Sequence, residues 1–92
     1  MPNKRVRLTI SGRVQGVGFR ANTRRQANQL NLTGWVRNLA NGDVEVVAEG
    51  EETTITRFIG WAKQGPRLAR VADFQKNFED YKGEFDSFSI RY

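Results

Sequence analysis

The stretch from Arg5 to Leu30, RVRLTISGRVQGVGFRANTRRQANQL, changes its period partway, and that change decides the fold. Val6, Leu8 and Ile10 share one face of a two-residue repeat, with Arg7 and Thr9 on the other. This alternation predicts a half-buried strand over Arg5–Ser11. From Phe19 the pattern becomes helical. Phe19, Thr23, Ala27 and Leu30 take one face, and Arg24, Arg25, Gln26 and Gln29 take the other. The spacing predicts an amphipathic helix of about three turns. Asn31 suits the left-handed conformation that often ends a helix. Between the two, Gly12 to Arg20 is rich in glycine and reads as a loop.

Working outward, Thr33–Leu39 reads as a second strand, and Asn41-Gly42 as a hairpin turn whose two residues both tolerate positive φ. Val44, Val46 and Ala48 then alternate with Glu45, Val47 and Glu49 in a third strand, which Gly50 should break. Thr53 or Thr54 can cap a second helix carrying Ile55, Phe58, Ile59 and Ala62 on one face. Gly65-Pro66 ends it. Ala69–Phe78 is β-prone, but Val71 and Phe74 break strict alternation, so a bulge is expected there. Glu79–Gly83 reads as a turn, and Phe88, Ile90 and Tyr92 alternate in a last strand. Two helices separated by strand pairs suggest an α+β fold of the split βαβ kind. Both helices would pack on one face of a four- to five-stranded, mostly antiparallel sheet.

The chain has 92 residues, which suits a single domain over 1–92. It has no Cys and no His. Disulfides, thiolate metal sites, thiol nucleophiles and a histidine base are therefore excluded. Catalysis, if any, falls to Arg, Lys, Asn, Gln, carboxylates, hydroxyls and backbone amides. A hydrophobic fraction of 38% is enough for one small core. No apolar run approaches the roughly 20 residues of a membrane span. The start Met1-Pro2-Asn3-Lys4-Arg5 is basic, but no apolar segment of signal-peptide type follows. A soluble, cytoplasmic protein is expected. Fifteen Lys and Arg against ten Asp and Glu give a formal charge of +5, which favours an anionic partner without naming it.

Two constellations carry chemistry. The loop Gln15-Gly16-Val17-Gly18-Phe19-Arg20 joins a strand to a helix N-terminus. Glycines there let successive backbone N–H groups converge on an anion, and the helix dipole favours negative charge at the same end. Arg20 adds a planar fork matched to two phosphate oxygens. The loop fits a tight turn with a solvated arginine equally well. It matches neither the P-loop nor the dinucleotide fingerprint. The second constellation is Gly34-Trp35-Val36-Arg37-Asn38, in which the Asn38 carboxamide could hold a water beside a phosphate. Taken alone, Asn38 reads more simply as ending a strand and helping the Asn41-Gly42 turn.

Gly12-Arg13-Val14-Gln15-Gly16-Val17-Gly18-Phe19-Arg20, followed by Gly34-Trp35-Val36-Arg37-Asn38, resembles the acylphosphatase family. The likeness continues through Gly42–Gly50, Gly65-Pro66 and Ala69-Arg70-Val71 to Phe88-Ser89-Ile90-Arg91-Tyr92, and so covers the chain from about Arg5 onward. The resemblance implies a ferredoxin-like α/β sandwich. It implies hydrolysis of the carboxyl–phosphate bond of a small-molecule acyl phosphate, giving carboxylate and inorganic phosphate. Arg20 falls on the family's phosphate-binding arginine and Asn38 on its water-orienting asparagine. The amides of Gln15, Gly16, Val17, Gly18, Phe19 and Arg20 fall on its phosphate cradle. No metal, other cofactor or covalent phosphoenzyme is implied. Ala21 stands where many members carry an aromatic residue, and Asn31 where glycine is common. Because a carboxylate leaves readily, such an enzyme can work by holding the phosphate and placing water in line. No side-chain base is obvious near Asn38, so the substrate phosphate is expected to take the water's proton.

Other features read more plainly. Arg24-Arg25 makes a solvated basic helix face rather than a steering patch. Trp35, Phe58 and Trp61 could form a stacking platform for bases but read better as core. A nucleic-acid partner is not expected, because the basic-aromatic signature of an RNA-binding strand is absent. A non-catalytic or carbamoyl-phosphate-handling domain is a further reading, which retention of both Arg20 and Asn38 disfavours. A monomer is expected.

Overall fold

The period change at Phe19 builds the first strand–helix unit of the computed structural model, which describes residues 2–92. Met1, the first residue of the basic start, lies outside them. β1 (Asn3–Arg13) and α1 (Phe19–Gln29) are followed by β2 (Thr33–Asn38), β3 (Val44–Glu51), α2 (Glu52–Gln64), β4 (Arg70–Glu79) and β5 (Phe88–Arg91). The sheet order is β4-β1-β3-β2-β5. Three pairings are antiparallel, and β2–β5 is parallel. The fold is thus α+β, with two helices on a five-stranded mixed sheet. Val6, Leu8 and Ile10 of β1 and Val44, Val46 and Ala48 of β3 face the helices and are fully buried. Phe19, Thr23 and Ala27 of α1 and Ile55, Phe58, Ile59 and Ala62 of α2 close the core from above. Burying each large aliphatic or aromatic side chain this way contributes about 1.5–3 kcal/mol.

Several local expectations hold. Asn31 has φ 57°, and the Leu32 N–H reaches the Ala27 carbonyl at 2.8 Å while the Asn31 N–H reaches that of Asn28 at 3.2 Å. These are the two bonds of a Schellman ending, with asparagine in the left-handed position. The bulge in β4 falls at Ala72, because Ser11 pairs with Asp73 and Gly12 with Val71.

Others are corrected. β1 continues through Gly12 and Arg13, which pair with β4, so the loop begins only at Val14. Gly12 is needed there because a Cβ would run into the Arg70 carbonyl oxygen across the ladder. β3 likewise runs through Gly50, which pairs with Lys4, since a full ladder outweighs glycine's poor strand preference. Of the hairpin pair only Gly42 has positive φ; Asn41 instead accepts the Asp43 N–H on its Oδ1 at 3.0 Å. Neither Thr53 nor Thr54 caps α2. The strand leads straight into the helix at Glu51, and the Pro2 carbonyl takes the Glu52 N–H at 3.0 Å.

Nor is Glu79–Gly83 a tight turn. β4 and β5 lie at opposite edges of the sheet, so the chain after Glu79 must cross it. Four strand spacings make about 19 Å, and eight extended residues at roughly 3.3 Å each span that. The strap runs over the sheet face away from the helices. There Arg5 bonds Glu49, Glu79 and Glu84, sits 5.2 Å from the Phe85 ring centroid, and so ties the strap down. Glu49 also accepts the Lys82 N–H at 2.8 Å. Arg7 bridges Glu79 and Glu45 beside it.

The Arg7 hydrogen bond, with help from Arg5, holds the Glu79 carboxyl below its ordinary 4.5. The Arg5 bond does the same for Glu84. The folded state therefore binds these protons more weakly than the unfolded chain does. Their stabilisation is present above pH 4.5 and lost as pH falls below it through the lowered values. Thermal unfolding followed by circular dichroism should show Tm level from pH 7 to about 5 and falling below about 4.5, with a shallower fall in Glu79→Gln.

Candidate active site

The loop after β1 and the start of α1 meet the ends of β2 and β5 around a cavity of about 200 Å³. Val14, Gly16, Gly18, Phe19, Arg20 and Ala21 line one side, and Asn38, Ile90 and Tyr92 the other. Arg20 and Asn38, eighteen positions apart in sequence, thus face the same space. The parallel β2–β5 pairing explains the last two residues. Val36 pairs with Ile90 and Arg37 with Arg91, so Tyr92 follows alongside Asn38.

The loop has the curvature an anion cradle needs. Gly16 has φ 75° and Gly18 φ 76°, while Val17 between them is not left-handed. Such alternation turns neighbouring N–H groups toward one point. Gly18 is the N-cap of α1, supplies no side-chain cap, and no acidic residue follows in the first turn. Its carbonyl accepts the Asn22 N–H at 3.0 Å and the Asn22 Nδ2 at 2.9 Å. Among the described residues, no group accepts a hydrogen bond from the backbone N–H of Gly16, Val17, Gly18, Phe19 or Arg20. The helix dipole adds partial positive charge at this end.

Arg20 is half-buried in the first turn of α1, with its Cζ 5.0 Å from the Tyr92 ring centroid. Among the described residues no carboxylate pairs with it, although Arg5, Arg7 and Arg37 are all paired. Asn38 ends β2, and its Oδ1 is buried without a hydrogen-bond partner. A buried amide oxygen in this state costs about 1–3 kcal/mol unless a donor reaches it. Among the described residues, no carboxylate side chain lines the cavity.

Of the six loop residues singled out from sequence, Gln15 and Val17 send their side chains elsewhere. Val17 packs against the core. The Gln15 Nε2 donates to the Leu39 carbonyl at 2.8 Å and the Asp43 carbonyl at 2.9 Å. Sequence reasoning missed Val14, Ile90 and Tyr92 as walls of the cavity. The Phe88-Ile90-Tyr92 alternation was the available signal, but it does not say which strand lies next door. Arg24 and Arg25 are exposed on α1, as a solvated face requires. The three large aromatics form no common platform. Phe58 stacks with Trp61 on the helix side, whereas Trp35 lies on the other face under Arg7, Arg37 and Arg91.

The sequence profile of the Acylphosphatase family matches residues 6–90. The chain is 47% identical over 85 residues to the acylphosphatase of Geobacter metallireducens, covering 92% of this chain and 91% of that one. Solved structures agree. An acylphosphatase from Coxiella burnetii superposes with a TM-score of 0.91 at 39% identity, covering 97% of this chain and 93% of that one. The acylphosphatase from Bacillus subtilis gives 0.93 at 36% identity, covering 97% and 99%.

Proposed function

The chain belongs to the acylphosphatase family, enzymes hydrolysing a phosphorus-containing acid anhydride, and on that premise we propose the following mechanism for its cavity. The phosphoryl oxygens of an acyl phosphate accept hydrogen bonds from the backbone N–H groups of Gln15 to Arg20 and from the Arg20 guanidinium. Asn38 Oδ1 accepts one O–H of a water and aims the water's lone pair at phosphorus. The P–O bond to the acyl group breaks on the opposite side and its electrons leave with the carboxylate. A phosphoryl oxygen takes the water's proton, so the products are carboxylate and inorganic phosphate. Arg20 and the amides spread the growing charge in a site preorganised for it.

The observation that carries this reading is that Asn38, whose buried Oδ1 has no hydrogen-bond partner, lines the same cavity as Arg20 and the loop of unused amides. An unpartnered acceptor on a residue that lines the cavity suits a water's O–H. The donors opposite it suit an anion. The lack of a lining carboxylate side chain among the described residues fits a reaction in which the substrate supplies the base. The same reading assigns no step to a metal ion or other cofactor and treats residues 1–92 as one cytoplasmic, monomeric domain.

Hydrolysis of benzoyl phosphate in excess chelator tests it. The wild-type chain should retain full activity. Asn38→Ala should lower kcat by about 10²–10³ with little change in KM, because only the attacking water loses its partner. Activity that vanishes with chelator and returns with a divalent cation would contradict the reading, as would an Asn38→Ala enzyme as fast as wild type.

A further inference from the structure

The loop and Asn38 belong to different elements, and something must set their spacing. We propose that the Gln15 side chain is a positioning residue that locks the phosphate cradle to the asparagine. The inference rests on the catalytic reading above. Gln15 does not line the cavity. Its half-buried carboxamide turns the other way and spends both of its N–H donors on the β2–β3 connection, at 2.8 Å to the Leu39 carbonyl and 2.9 Å to the Asp43 carbonyl. Those two residues close the connection, since the Leu39 N–H donates to Asp43 at 2.8 Å and the Gly42 N–H to Leu39 at 3.2 Å. Asn38 comes immediately before Leu39 and pairs with Val44, just after Asp43. One carboxamide therefore grips both sides of the hairpin within one residue of Asn38. Its own backbone opens the cradle.

The consequence is a division of labour along the loop. Gly18, Phe19 and Arg20 are anchored by α1 and keep their place without Gln15. What Gln15 fixes is the distance and angle between the bound phosphate and the water on Asn38. A displacement of about 1 Å there can cost on the order of 10²-fold in rate while leaving phosphate binding nearly intact.

The test compares wild type, Gln15→Met, Asn38→Ala and the double variant. Gln15→Met keeps the side chain's length and loses both donors without adding charge. Gln15→Leu is the substitute should Gln15→Met fold poorly. With benzoyl phosphate as substrate, Gln15→Met should lower kcat about 10–100-fold, and the inhibition constant of inorganic phosphate should change less than about threefold. In the Asn38→Ala background the same substitution should cost less than about threefold, because the group it positions is gone. An inhibition constant rising in step with the loss of kcat would overturn the proposal, since Gln15 would then merely hold the cradle. Losses that multiply in the double variant would overturn it as well. A second readout needs no turnover. The Asn38 side-chain amide resonances of the phosphate-bound protein should shift in Gln15→Met while the Arg20 Nε–H resonance stays put. Unmoved Asn38 resonances would overturn the proposal. A wild-type chain that hydrolyses nothing would instead defeat the catalytic reading, and the resonances would still judge Gln15.

Discussion

Arg20→Ala lowers kcat/KM for benzoyl phosphate by about 10³-fold or more, the largest functional effect expected of a single substitution here. Arg20 is the one arginine lining the cavity, and it has no competing carboxylate among the described residues. Its fork can contact two phosphoryl oxygens at once, and the charge-assisted bonds strengthen as charge shifts during P–O cleavage. Loop amides alone would still hold a phosphate, so binding of inorganic phosphate weakens but persists. Arg20→Lys should recover little, because a point charge on a flexible stem cannot reproduce the planar fork. Steady-state kinetics beside a folding check by circular dichroism decide the matter.

Arg5→Leu removes about 3–5 kcal/mol of folding stability and lowers Tm by at least about 12 °C. The Arg5 side chain is 6% exposed and that of Glu49 is 1% exposed, so their ion pair is shielded from water. Without the guanidinium, Glu49 keeps a buried charge, and its Oε1 already has no partner. The strap through Glu84 and Phe85 loses its tie as well. Pairing Arg5→Leu with Glu49→Leu should recover a large part of the loss, because an apolar pair of similar volume avoids the stranded carboxylate. Arg5 sits on the sheet face away from the cavity, so kcat at a temperature where the variant is folded should stay near wild type. Thermal denaturation of the three proteins, with kinetics at low temperature, checks both halves.

These two arginines mark what could be read in the sequence and what could not. Arg20's place at the start of α1 was legible because it belongs to a local pattern, a glycine loop running into a helix start, whereas the role proposed for it rests on the family resemblance. Local pattern also gave β1, α1, the Asn31 ending and the bulge near Val71, each settled by residues within a few positions. Arg5 carried no such signal. Its partners are contributed by three distant segments: Glu49 and Glu79 lie opposite it on β3 and β4, and Glu84 reaches it only because the chain crosses from one sheet edge to the other after Glu79. The same holds for Tyr92, which reaches Arg20 through a parallel pairing that no periodicity reveals. Gln15 falls between the two. Its backbone place in the loop was readable, but its side chain's grip on Leu39 and Asp43 depends on where the hairpin folds back. The Gly12 and Gly50 corrections share one cause. A neighbouring strand can keep glycine inside a ladder that propensity alone would end.

The most direct test of the central claim is to follow oxygen during hydrolysis of benzoyl phosphate in ¹⁸O-labelled water. On the proposed mechanism the cradle and Asn38 bring water to phosphorus, so one labelled oxygen per turnover should appear in inorganic phosphate and none in benzoate. Label in benzoate would mean that water attacks the carbonyl carbon, and the roles assigned to Arg20 and Asn38 would be wrong.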